Sequence, residues 1–178
     1  MTAAQPPTAA TPALQLTRWT VTSSSNAQSR GAVVMEAGAH HWRASAEGNG
    51  AVDALYKAVD AALAEVLQGH PKLVGYDVHA LAEGPDAQGL VIVAIEPPAG
   101  AEGARATGLY NGRARSTNII AASIEAYVEA LNAMLADASW AGAAESAGKG
   151  RRAAPEAHGR RAEIDHKATD DGAPWFDR

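Results

Sequence analysis

The chain has no cysteine, and that absence removes disulfides, thiolate metal ligands and a cysteine nucleophile together. It also lacks a long apolar run. Met1 to Ala13 has neither a basic start nor a continuous hydrophobic stretch, and no segment approaches the length of a membrane span. A soluble cytoplasmic protein with no membrane partner is therefore expected. A positive excess is missing too: residues 1–140 hold 8 Lys+Arg against 13 Asp+Glu, and residues 141–178 hold 7 against 7. The larger part is acidic, so nucleic acid is not expected as a partner. From Ser139 onward large apolar residues are almost absent until Trp175-Phe176, and Met1 to Ala13 is mostly Ala, Thr, Pro and Gln without periodicity. Residues 1–13 and 138–178 are accordingly expected to be disordered. That leaves 14–137 as one domain of ordinary size.

Within that domain the patterning alternates first and then turns helical. Leu14 to Thr22 has the β-branched and aromatic content of a strand, with Thr17, Trp19 and Val21 on one face and Arg18, Thr20 and Thr22 on the other. A turn at Ser23–Asn26 separates it from a strand over Gly31–Ala37, and a break at Gly38 from a third over His40–Ala46. Val52, Leu55, Tyr56, Val59, Leu63, Val66 and Leu67 then recur at helical spacing, with Asp53, Lys57, Asp60, Glu65 and Gln68 on the other side. Gly69 and Pro71 end that helix. Three further strands are expected over Leu73–Leu81, Leu90–Ile95 and Arg105–Ala114, with a mobile loop over Pro97–Gly103. A second helix, capped by Ser116 or Thr117, runs to about Asp137 with Ile120, Ile124, Tyr127, Val128, Leu131, Met134 and Leu135 inward.

The two helices match at an offset of 68 residues, pairing Val52 with Ile120, Tyr56 with Ile124, Val59 with Tyr127, Leu63 with Leu131 and Val66 with Met134. With three short strands before each helix, this predicts an α+β fold of duplicated β-β-β-α units, about 14–69 and 70–137. Two three-stranded sheets would pack with two helices.

Catalytic groupings are missing from the pattern. His40 and His41 are adjacent and point to opposite faces of a strand, and no His-x-His or His-x-x-x-His pair occurs. His70, His158 and His166 fall in a loop or the tail, and the pairs Arg151-Arg152 and Arg160-Arg161 sit in an Ala/Gly background that reads as solvated chain. No nucleophile elbow, P-loop or dinucleotide fingerprint is present. No catalytic residue, metal site or cofactor is expected, and the protein is not expected to be an enzyme. One feature stands out: Gly48-Asn49-Gly50 lies where the third strand meets the first helix, so unpaired backbone N–H groups gather at a flexible turn suited to an anion. A run of the same plan, Tyr110 to Ile120, leads into the second helix.

Four ordered motifs carry a resemblance. Gly48-Asn49-Gly50-Ala51-Val52-Asp53-Ala54-Leu55-Tyr56-Lys57-Ala58, Tyr76-Asp77-Val78-His79-Ala80-Leu81, Asp86-Ala87-Gln88-Gly89, and Arg115 to Ser123 with Ala126-Tyr127 together resemble the C-terminal regulatory domain of 2-isopropylmalate synthase. Citramalate synthases carry the same domain type. The resemblance covers about Trp19 to Leu135; Ala51 replaces a frequent proline, and Arg113–Asn118 departs from the usual Gly-Val-Ser-Thr-Asp.

It implies two β-β-β-α units that form a homodimer and bind leucine or isoleucine as feedback inhibitor, in the context of leucine and branched-chain amino acid biosynthesis. The family's catalytic barrel and its metal ligands have no counterpart in this sequence. The resemblance thus implies a stand-alone, non-catalytic allosteric domain that associates with or modulates a full-length 2-isopropylmalate synthase. Carried over residue by residue, it assigns the effector site to Gly48, Asn49, Gly50, Val52, Asp53, Ala80 and Ala87. Backbone donors at the turn would meet the carboxylate, and Asn49 or a carbonyl would accept from the ammonium. The small Ala80 and Ala87 would leave room for a side chain whose burial contributes roughly 1.5–3 kcal/mol. A structural dimerisation module with a vestigial pocket is the alternative, and leucine and isoleucine are not separable from sequence.

Overall fold

In the computed structural model, which describes residues 12–144, two three-stranded antiparallel sheets and their helices form an α+β fold. The disorder expected for residues 1–11 and 145–178 lies outside the described residues, as do His158, His166 and the two arginine pairs. Strands β1 (Gln15–Ser24), β2 (Ala27–Ala37) and β3 (His40–Gly48) make the first sheet, followed by α1 (Ala51–Ala62) and a single turn α2 (Ala64–Leu67). Strands β4 (Lys72–Ala80), β5 (Gly89–Glu96) and β6 (Tyr110–Ser116) make the second, followed by α3 (Ile119–Leu135). The centre strands are β2 and β5.

Each helix lies on its own sheet, α1 over β2 and β3, α3 over β5 and β6. Glycine makes that approach possible. A Cβ on Gly48 would sit 2.5 Å from the Ala54 backbone nitrogen, and one on Gly112 would run into the Ala126 carbonyl and the Ala130 nitrogen. Both helices answer with alanine. Ala54, Ala58 and Ala62 are buried in α1 and Ala122, Ala126 and Ala130 in α3, again 68 residues apart, so the duplication extends to the surface where helix meets sheet. The aliphatic set of both helices closes one shared core with Val33, Met35, Val91, Val93 and Ile95.

Several expectations need correcting. The sixth strand begins at Tyr110, not Arg105, because Gly103–Ala106 form a 3-10 turn and Gly108 takes φ 135° before the chain can extend. Helix α3 is capped by Asn118, whose Oδ1 accepts from Ile120 N (3.0 Å) and Ala121 N (3.3 Å), while the Ser116 hydroxyl accepts from Asn118 N. The first helix is interrupted at Leu63, with φ −101° and ψ 14°. In β1 a register shift between Leu16 and Arg18 takes Thr17 out of the apolar face, which Leu16, Trp19 and Val21 form instead. Pro97 and Pro98 of the supposedly mobile loop are buried. The tail also starts later than 138: Asp137 accepts from Ser139 N, Ala138–Trp140 make a 3-10 turn, and Trp140, Ala143 and Ala144 join the core. A lone Trp in a small-residue stretch supplied the apolar anchor that composition concealed.

Candidate functional site

The candidate residues divide between two places. Gly48 ends β3, Asn49 and Gly50 form the connection, and Val52 and Asp53 occupy the first turn of α1. Gly50 is the N-cap position, in extended backbone at φ −156°, ψ 174°, and no side chain caps the helix there. The first helical bond runs from Ala54 N to Gly50 O at 3.0 Å, so the N–H groups of Ala51, Val52 and Asp53 precede it, available to water or a ligand. A Cβ added at Gly50 meets nothing within 4 Å. Gly48 is therefore demanded by packing, and Gly50 is not.

The turn is less of an anion cradle than its sequence suggests. Asp53 Oδ2 accepts from Asn49 N (2.9 Å) and from Lys57 Nζ (2.8 Å). The Lys57 bond, aided by the Asn49 N–H, holds the Asp53 carboxyl below its ordinary range against some desolvation. An ionised carboxylate thus stands beside the free N–H groups, and the pair of opposite partial charges suits a zwitterion better than a simple anion.

Ala80 and Ala87 lie on the second sheet. Ala80 is the exposed last residue of β4 and pairs with Gly89, which pairs in turn with Ser116. Ala87 is half-buried in the following turn, its N–H donating to Gly84 O at 3.2 Å. Topology brings the two groups to one end of the fold. Tyr56 Oη donates to Ser123 O (2.9 Å) and Tyr127 Oη to Asp60 Oδ1 (2.5 Å), so contacts advance in the same sense along both helices and their first turns are neighbours. Gly89 also lies under the Ile119 side chain at the start of α3. The concavity that holds Ala87, about 470 Å³, is lined by Leu81–Gln88 and by none of Gly48–Asp53.

Between the helices sits a polar cluster that the sequence reading misplaced. Asp60, expected on the outer face of α1, is buried, and accepts from the Tyr127 hydroxyl; His70 Nδ1 lies 3.3 Å from its other oxygen. Burial pushes the Asp60 carboxyl above its ordinary range, with Tyr127 and His70 pulling it partly back. Tyr56 and Tyr127 stack with ring centroids 4.2 Å apart, and burial raises both hydroxyls far above free tyrosine. Tyr76 Oη shares a 2.7 Å hydrogen bond with Ser123 Oγ. A continuous chain thus links β4, α3 and α1. Its only sequence signal was an acidic residue one turn from an aromatic within an apolar helix.

Elsewhere the histidines do ordinary work. His41 Nδ1 is 3.1 Å from Glu36 Oε1, and His40 packs tilted against Trp42. Among the described residues no three of His, Asp and Glu converge as metal ligands, and no helix is long and apolar enough to cross a membrane.

Comparison with known proteins agrees with this architecture. Residues 4–135 match the family model described as the LeuA allosteric (dimerisation) domain. The 2-isopropylmalate synthase of Salinibacter ruber is 37% identical over 127 residues, which is 71% of this chain and 21% of that protein. The synthase of Nitrosococcus oceani is 40% identical over 93 residues (52% and 16%), and that of Sediminispirochaeta smaragdinae 43% over 89 residues (50% and 15%). The chain thus spans about a fifth or less of the length of the curated relatives it matches.

Proposed function

The chain belongs to the LeuA allosteric (dimerisation) domain family, and from that premise we propose that it is a non-catalytic sensor of a branched-chain amino acid. Leucine is the foremost candidate. The sensor acts in leucine biosynthesis by self-associating and by associating with a 2-isopropylmalate synthase. The observation that carries this reading is the start of α1. An uncapped first turn, an ionised Asp53 beside it and open space over Gly50 supply donors for a carboxylate, an acceptor for an ammonium and room for approach. Ala80 and Ala87 complete the set by offering small side chains on the neighbouring sheet end.

Calorimetric titration with leucine, isoleucine and valine tests it, with Gly50→Asp as control. Saturable leucine binding is expected in the parent chain, and its loss in the variant with thermal stability equal to or slightly above the parent's. A well-folded protein silent to all three amino acids would sink the sensor reading. One branch point is worth about 1 kcal/mol of discrimination, so isoleucine should bind roughly fivefold more weakly. A second reading is favoured by the separate lining of the Ala87 concavity: a dimerisation module whose pocket is vestigial. Co-purification with a synthase in the absence of any amino-acid binding would select it.

A further inference from the structure

Alternation along β2 gives the first sheet two unlike faces. Val33, Met35 and Ala37 are buried on the face that α1 covers, and Ala32 and Val34 are half-buried on the face turned away from it. Register lays that outer face out in rows across the three strands. Arg18, Val34 and Arg43 make one row, and Thr20, Ala32 and Ser45 the next. Together they line a hollow of about 330 Å³, at the lower end of the range for small-molecule sites.

The charges on this face do not balance. Glu36 and Glu47 are the acidic residues of the three strands, and both are taken: Arg30 bonds Glu47 at 2.6 Å, and His41 Nδ1 lies 3.1 Å from Glu36. Arg18 and Arg43 are exposed and have no acidic partner among the described residues. Neighbouring strands lie about 4.8 Å apart, so the two cations stand in one row with backbones roughly 10 Å apart. They do so on a part of the chain that is acidic as a whole. The fold does not require them: position 43 matches 111 at the 68-residue offset, and the corresponding row of the second sheet is Gly75, Ala94 and Asn111, without charge.

We propose that this hollow binds a small organic dianion, a molecule with a carboxylate at each end of a short apolar body. A guanidinium is a planar fork that matches a carboxylate with two parallel hydrogen bonds, so Arg18 takes one end and Arg43 the other. The body lies across Val34 and Ala32, between the aliphatic stems of the two arginines. The hydroxyls of Thr20 and Ser45 donate to the carboxylate oxygens that the forks leave free. The site is on the far side of the first sheet from α1, shares no residue with the turn at Gly48–Asp53, and does not depend on the amino-acid reading.

Calorimetric titration of the full chain at low ionic strength tests the site, with adipate as the linear dicarboxylate, hexanoate as its monoacid counterpart and inorganic phosphate as a compact anion. Adipate is expected to bind saturably, and at least about tenfold more tightly than hexanoate, which forfeits one of the two charge-assisted pairs. Phosphate should bind no better than hexanoate. Arg18→Gln and Arg43→Gln should each bring adipate down to the level of hexanoate while far-UV circular dichroism stays that of the folded parent. Arg113→Gln, which removes an exposed arginine from the second sheet, should leave adipate binding unchanged. No saturable heat with adipate, or equal affinity for the three anions, overturns the site. So does a loss in Arg113→Gln as large as in the other two variants, because that would report general attraction of anions rather than a clamp.

Discussion

Position 50 and position 118 hold the same place in two copies of one design, and they are finished differently. Asn118 closes the first turn of α3 with two side-chain hydrogen bonds, whereas Gly50 leaves the first turn of α1 open. The same contrast recurs at the strands. Leu14, which leads into β1, exchanges two hydrogen bonds with Asn132 of α3 and is buried, while β4 keeps its apolar residues in solvent. Where a unit is internally complete it serves the fold. The α1 start and the β4 edge lack that completion: no side chain caps the helix, and the strand's apolar residues stay exposed.

The change with the largest expected effect attacks what the units share. Gly112→Val should cost about 3 kcal/mol or more, read as the loss in chemical-denaturation stability, because the new side chain collides with the α3 backbone. A near-neutral result would mean that helix and sheet do not meet there as closely as the geometry requires.

An intermediate effect concerns the inter-helix cluster, which has no symmetric counterpart: position 128, which matches Asp60, is valine. Because burial raises the folded-state value of Asp60, its protonated form is the better folded one. The contribution to stability is complete below the unfolded carboxylate value near 4 and is lost as pH rises through the higher folded value. Urea midpoints of the parent chain should therefore fall over that window, and Asp60→Asn, which can still accept from Tyr127, should flatten the slope. An unchanged pH profile in the variant would remove Asp60 from the account.

The smallest effect sharpens the comparison of caps. Asn118→Ala should cost about 1 kcal/mol, whereas Gly50→Asn should gain a few tenths, since its extended backbone already has N-cap geometry. Thermal melts of the two variants report this directly. Equal losses at both positions would show that Gly50 serves the fold after all, and the case for an open ligand-facing turn would weaken accordingly.

Much of the architecture was legible because it rests on periodicity. The six strands, the inward faces of α1 and α3 and the 68-residue repeat all follow from apolar spacing, which is local. What escaped reading depended on neighbours distant in sequence. Asp60 has the spacing of a surface residue, yet Tyr127 from the other unit makes its burial tolerable. Asn118 outcompeted Ser116 and Thr117 as cap because Ser116 had already turned its hydroxyl to the Asn118 N–H. The candidate site was legible only as a turn of unusual composition. That Asp53 would occupy one of its donors, and that Gly48 but not Gly50 answers to packing, required the helix to be seen resting on the sheet.

By itself, then, the sequence determined the duplicated β-β-β-α plan, because hydrophobic burial at periods of two and 3.6 residues selects strand and helix almost independently of context. Only the tertiary structure decided which edges and helix ends were closed. Closure requires a partner group from elsewhere in the chain at hydrogen-bond distance, as Glu129 provides for β6 and Asn132 for the start of β1. Among the described residues no side chain caps the first turn of α1, and β4 keeps Leu73, Val74, Tyr76 and Val78 exposed because α3 lies over β5 and β6 instead.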